Sequence, residues 1–181
     1  MKCARFLPRG LIDAQLKFIV LIADGGILTD FVEADVSVLG LIAKYLGPLQ
    51  VPSLILPQVK KLDGPSCKRF GLEVIECTAE QLLEAGFRNA GLSFEDRICI
   101  ILARDGNSAC VTNEVVLQKA CAQIGIATLC GPDLIVELHR RLHISAFKAE
   151  KILRALHSVN PYHITKGILI QYQRTMGQLT K

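Results

Sequence analysis

The chain has 181 residues, 50% hydrophobic and 21% charged, with 14 Gly and 7 Pro, which excludes a disordered, collagenous or coiled-coil polypeptide and sets the scale of one globular domain, with room for an appended subdomain. Aromatics are 6% with no Trp, which leaves few flat side chains for stacking exposed bases, so a stacking platform is not expected. The net charge of +4 is a difference between two opposed parts: Met1 to Glu137 holds 13 Lys/Arg against 16 Asp/Glu, or −3, and Leu138 to Lys181 holds 8 Lys/Arg against Glu150 alone, or +7.

Taken in chain order, Lys17 to Ala23 (KFIVLIA) is a continuous apolar run closed by Asp24-Gly25-Gly26, the pattern of a buried parallel strand leaving its sheet through a tight turn. Helical periodicity follows from Ile27 to Tyr45 in two pieces and stops at Gly47-Pro48. Leu49 to Val51 reads as a short strand, and Pro52-Ser53 then opens a predicted helix towards Leu62 with Ser53 as its cap. Gly64-Pro65 marks a predicted turn. Leu72 to Glu76 alternates apolar with acidic, as a strand near a sheet edge does.

Thr78 to Gln81 is a capping box opening a helix through Phe87, and Ser93 to Asp96 opens another that ends near Asp105-Gly106-Asn107. Strand Ala109 to Thr112, helix Glu114 to Ile124 and strand Ile126 to Leu129 complete an alternation that specifies an α/β fold, a parallel sheet sandwiched by helices. Beyond Gly131-Pro132 only helical patterns remain, at Asp133 to Leu142, Ser145 to His157 and Ile164 to Met176. The expected division is therefore an α/β domain over 1–132 and a basic helical C-terminal extension over 133–181.

Seven Cys form no CxxC pair and are odd in number, which fits free thiols in a reducing cytoplasm. The longest N-terminal apolar run, Phe18 to Ala23, ends in Asp24, so neither a signal peptide nor a membrane span is expected. The Gly-rich phosphate-binding patterns are absent, and Ser and Cys nucleophiles lack an evident His partner in the sheet domain. His139 and His143 lie four residues apart on one helix face but without a third ligand, and read as surface histidines on a basic helix.

Open parallel sheets bind ligands beyond the carboxyl ends of their strands. Asp24 follows the first strand, Thr112, Asn113 and Glu114 stand at the end of another, and Asp96 lies in the first turn of a helix. Three carboxylates at one mouth make a hard oxygen site for Mg²⁺ or Mn²⁺, and the chemistry implied is metal-assisted phosphodiester hydrolysis. Each acid also has a structural reading: Asp96 as a capping-box partner of Ser93, Glu114 as a helix-dipole carboxylate with Asn113 as cap, and Asp24 as a turn former.

Val20-Leu-Ile-Ala-Asp24 with Ile27-Leu28, then Val51-Pro-Ser-Leu-Ile-Leu-Pro-Gln58, Leu92-Ser-Phe-Glu-Asp96 with Ala103, and Val111-Thr-Asn-Glu114 leading to Ala120 and Gly125-Ile126 resemble the PIN-domain family in order and spacing, over about Lys17 to Leu129. The resemblance implies a metal-dependent ribonuclease, of a kind often found as the toxin of a toxin–antitoxin pair, with RNA as substrate, an antitoxin protein as partner and a homodimer as its assembly. By position, Asp24, Asp96 and Glu114 would be its metal-binding and catalytic acids. The chain departs from the family where Gln58 stands in place of a Glu, where Glu114 replaces an Asp, and where Gly25-Gly26 follows Asp24. Gln58 can offer a neutral carbonyl oxygen, and Thr112 and Asn113 can support the acids, but the site loses one negative charge. A catalytically weakened or inactive PIN-fold protein that binds RNA or protein is therefore the alternative.

The segment Ala23-Asp-Gly-Gly-Ile-Leu-Thr-Asp30 also looks like the start of haloacid-dehalogenase-type phosphatases, but their nucleophilic Asp would fall on Ile22, which cannot form an aspartyl phosphate. The basic helices supply Arg140, Arg141, Lys148, Lys151 and Arg154 as candidate contacts to an RNA backbone, in a pattern that a solvated helix face produces equally well.

Overall fold

The computed structural model describes residues 20–87 and 91–179. Its centre is a five-stranded, wholly parallel sheet in the order β3-β2-β1-β4-β5, built from β1 (Leu21–Ala23), β2 (Leu49–Pro52), β3 (Glu73–Ile75), β4 (Ala109–Val111) and β5 (Thr128–Leu129). β1 lies between β2 and β4, with Leu21 opposite both Leu49 and Ala109. Every residue of β1 and β4 is buried, as the unbroken apolar runs require of strands covered on both faces. β3 is exposed at Glu73 and Val74, the edge position its alternating pattern predicts. The start of the first predicted strand, 17–19, lies outside the described residues.

The chain winds in one direction from β1 to β3 and in the other from β1's far side through β4 to β5. Strand order thus reverses between β1 and β4, which opens a crevice at their carboxyl ends. Helices α1 (Gly25–Asp35) and α2 (Ser37–Tyr45) follow β1, and Leu39, Ile42 and Leu46 are wholly buried, so the 39–46 apolar face belongs to the core. The helix α4 (Ala79–Gly86) starts with the predicted Thr78–Gln81 capping box, and α5 (Phe94–Asp105) with that of Ser93 and Asp96. The helix α6 (Val115–Gln123) joins β4 to β5.

Two predicted elements come out differently. Pro52-Ser53 opens no α-helix, only a 3-10 turn over Leu56–Gln58. Pro57 has no N–H with which to reach the Ser53 carbonyl, and the Ser53 hydroxyl donates to Glu76 (2.6 Å) instead of capping. Gly64-Pro65 is not a free turn but the first residues of α3 (Gly64–Phe70): Asp63 accepts the Ser66 N–H (2.8 Å), and Pro65 occupies the first turn, where its missing N–H costs nothing.

The C-terminal helices α7 (Gly131–Arg140), α8 (Ala146–Val159) and α9 (Lys166–Leu179) share one continuous apolar core with the sheet, through Leu134, Ile135, Leu153, Leu156 and Tyr172. The Tyr172 hydroxyl donates to Asp133 and touches the Cys130 sulfur (3.2 Å), which ties α9 to the first turn of α7. The six described cysteines are free thiols; Cys3 lies outside the described residues. Among the described residues no helix is long and apolar enough to cross a membrane.

Candidate functional site

Asp24 leaves β1 at the crevice and caps α1: its Oδ1 accepts the Ile27 N–H at 2.6 Å. Asp24 is 4% exposed; the Thr112 hydroxyl lies beside its carboxyl, and the second oxygen, Oδ2, is fully buried with no well-formed hydrogen bond. A buried polar atom left unpaired is costly and calls for an explanation in ligand terms. Burial pushes the Asp24 carboxyl up to about 7; the charges of Glu114 and Asp96 add to the rise, while the Thr112 hydroxyl and the Ile27 amide oppose it.

Glu114 precedes α6, yet its side chain makes no cap; only its N–H is engaged, by the Thr112 hydroxyl at 2.9 Å. Its carboxyl is raised by burial first and by the charge of Asp96 second. Asp96 does act as a cap, accepting the Ser93 N–H through Oδ2 at 2.9 Å. So Asp96 keeps its capping-box role with one oxygen, Asp24 is a helix cap where Asp-Gly-Gly suggested a turn, and Glu114 stands at the N-terminus of α6, where the helix dipole favours a carboxylate, without capping it. Asn113 does not cap α6: its amide donates to Asp30 (2.8 Å) and its carbonyl accepts the N–H of Gly131, the first residue of the next helix (3.0 Å).

The two glycines after Asp24 leave a hollow at the start of α1. A Cβ on Gly26 would stand 3.5 Å from Asp24 Oδ1 and 3.7 Å from Glu114 Oε1, and one on Gly25 would stand 3.9 Å from Gln58 Oε1. Gln58 thus comes to the same mouth as the acids, with its amide nitrogen donating to Glu95 (2.7 Å). The donor set is all oxygen. Among the described residues, no three His, Cys, Asp or Glu side chains lie close enough to grip one ion. The acids face one another at electrostatic range, which suits a Mg²⁺-sized cation that keeps several waters and takes one or two carboxylates directly. The orphaned Asp24 Oδ2 is the atom that asks for such a guest, and the glycine hollow borders the other oxygen, Oδ1.

Two features of the mouth escape sequence inspection. Asp30, six residues beyond Asp24 and on α1, is 4% exposed; its carboxyl accepts from Asn113 and, at 3.1 Å, from Asn160. Asn160 also accepts the His163 N–H (3.2 Å), and the His163 imidazole lies in electrostatic range of both Asp30 and Glu114. Only the apolar-polar placement of Asp30 on an otherwise buried helix face could have drawn attention to it.

The basic residues of the extension lie elsewhere. Glu137 is paired with both Arg140 (2.7 Å) and Arg141 (2.6 Å), and Arg141 also reaches the carbonyl of Tyr45, which precedes β2 at the amino edge of the sheet. Arg140 is about 14 Å along α7 from Gly131, which opens the helix beside Asn113. Arg154 pairs with Glu150. Lys148 and Lys151 line a groove of about 650 Å³ with Asp35, Val36 and Phe147, at the end of α1 away from Asp24. Arg140, Arg141, Lys148 and Lys151 therefore do not surround the acid mouth. Nor is His139 a surface histidine: it is buried with Nδ1 against the Ile144 carbonyl (3.1 Å), while His143 stacks on Tyr45, so the two do not form a ligand pair.

Comparison with known protein families gives no matching family model, and comparison with curated proteins gives no match. Ser93→Ala separates its two structural duties: losing the cap should lower stability by about 1 kcal/mol in urea melts while leaving Asp24 and Glu114 in place. A loss of cation-induced stabilisation in that variant would show that the cap also sets the position of Asp96.

Proposed function

We propose that the chain is a Mg²⁺- or Mn²⁺-dependent ribonuclease of the PIN type. The observation that carries this reading is the buried, unpartnered Asp24 Oδ2 at the strand-order reversal, with Glu114 and Asp96 facing it. The ordered sequence resemblance over about Lys17 to Leu129 supports it, as do the Asp24, Glu114 and Gln58 oxygens that stand beside Gly25 and Gly26, with Ile55 as the apolar side of the hollow. A divalent cation bound there would supply a lower pKa for water and charge neutralisation at the phosphate. Asp24 Oδ2 would hold it directly, Glu114 and Asp96 would hold its waters or ligate it, and Gln58 would offer its carbonyl oxygen across the hollow. Thr112 fixes the Glu114 backbone, and Asn113 fixes the start of α7 beside it.

A second reading, a PIN-fold RNA- or protein-binding module without cleavage, is favoured by the neutral Gln58 and by the spacing of the acids. A mixed RNA panel with native protein, Asp96→Asn and Gln58→Glu separates the two. The ribonuclease reading expects cleavage in Mg²⁺ or Mn²⁺, none in EDTA, and a fall of about 10²-fold or more in Asp96→Asn. Cleavage that survives Asp96→Asn in full removes that residue from the site. Silence of the native protein with activity gained in Gln58→Glu establishes the non-cleaving form.

A further inference from the structure

The loop over residues 160–163, between α8 and α9, is tied through Asp30 to α1 and to Asn113 at the end of β4. Asp30 is buried, which raises its carboxyl, and the amides of Asn113 and Asn160 stabilise its charge. Asn160 closes a turn onto the His163 N–H, its carbonyl accepts from the Ile164 N–H (2.9 Å), and His157 Nδ1 meets the Ile164 carbonyl (2.5 Å). Pro161 restricts the backbone between them. On this pinned frame Tyr162 is 83% exposed, its ring edge-on to that of His163 with centroids 4.9 Å apart. His163 in turn faces Asp30 from α1 and Glu114 from the start of α6. Lys166 opens α9 three residues further on.

We propose that the 160–163 loop is a nucleobase-binding wall of the acid site, with the Tyr162 ring stacking one unpaired base of a single-stranded RNA whose phosphate lies towards Glu114 and Asp24. A Tyr side chain on a held backbone has only two χ angles to order on binding, and one base stacked on one ring contributes on the order of 1–3 kcal/mol. The scarcity of aromatics excludes an extended platform but not a single ring beside the reacting phosphate. The placement also answers why the basic helix ends lie at the far side: the base, rather than a row of phosphates, would register the strand.

The inference rests on the ribonuclease reading for its ligand, and its test is separable from cleavage. The chain contains no Trp, so Tyr162→Trp places a single reporter on the wall. Titration with a short single-stranded RNA oligomer, in Ca²⁺ to slow hydrolysis, should quench that fluorescence. Tyr162→Ala should weaken oligomer binding about tenfold with Tyr162→Phe near the native value, and the cation-induced rise in Tm should be the same in all three. An unquenched reporter together with equal oligomer affinity in Tyr162→Ala overturns the wall, even if the native protein cleaves. Quenching and weakened binding in a protein that does not cleave keep the wall and remove the ribonuclease.

Discussion

Asp24→Asn should stabilise the metal-free protein at pH 8 and leave it nearly unchanged at pH 4. The sign follows from a folded-state carboxyl pushed up to about 7 by burial, against an ordinary value of 3.8 in the unfolded chain. The folded state holds the proton more tightly, so stability is full below the unfolded value, is lost as pH rises from about 4 to about 7, and is flat above. A difference of about three pH units corresponds to about 4 kcal/mol, and the neutral amide escapes most of it while keeping an oxygen for the Ile27 N–H. Mg²⁺ or Mn²⁺ should narrow the gap: the native protein gains Tm at pH 8, less at pH 5 where the proton competes, and the variant gains nothing. Cleavage should fall by about 10³-fold or more in the variant, the loss of a principal charge at the reacting phosphate. Denaturant melts at the two pH values, with and without cation, check all of this together. Equal stability differences at pH 4 and pH 8, or an undiminished Mg²⁺ shift in Asp24→Asn, would falsify the role of the free oxygen.

Much of the fold is legible in local chemistry. The unbroken apolar runs at β1 and β4 predict strands covered on both faces, and S/T-x-x-D/Q marks two helix starts where capping boxes form. The misreadings have local causes as well. Pro57 disqualifies a helix that the spacing of apolar residues otherwise favours, and Asp63 converts the Gly-Pro pair from a stop into a start, because the cap side chain decides what the proline means.

The candidate site divides along a different line. Asp24, Asp96 and Glu114 are readable because strand ends and helix starts are readable, and a parallel sheet brings such ends to one edge. Which oxygen of each acid is spoken for is not readable, since it depends on angles at a cap: Asp24 and Asp96 each give one oxygen to a backbone N–H, while Glu114 gives none. The helical extension misleads by composition. Its charge sums to a basic tail, but Glu137 sits between Arg140 and Arg141, and α7 and α8 carry their basic ends away from the mouth. Net charge along a chain says nothing about which end of a helix faces a ligand.

The contact that does bring the extension to the mouth joins residues 130 positions apart in sequence, and Asp30→Ala tests it. Alanine removes the acceptor for two side-chain amides, Asn113 at 2.8 Å and Asn160 at 3.1 Å, and the first of these is buried too deeply for water to replace it freely. A buried amide left unpaired costs about 1–3 kcal/mol, so a loss of about 3 kcal/mol is expected at pH 7, partly offset because a buried carboxyl is also relieved. Asp30→Asn keeps one acceptor oxygen and should lose less than half as much. The two substitutions differ further in where the loss appears. In Asp30→Ala, hydrogen exchange should accelerate at His163 and Ile164, whose N–H groups both bond to Asn160, while β1 and β4 amides keep their ranking among the most protected. Oligomer affinity should fall alongside, since the Tyr162 ring loses its fixed frame, and the Mg²⁺-induced rise in Tm should survive because Asp24 and Glu114 do not bond to Asp30. If Asp30→Ala instead melts within about 0.5 kcal/mol of the native protein and the loop amides exchange as before, Asp30 does not hold the loop, and the geometry linking the C-terminal helices to the acid mouth is incidental.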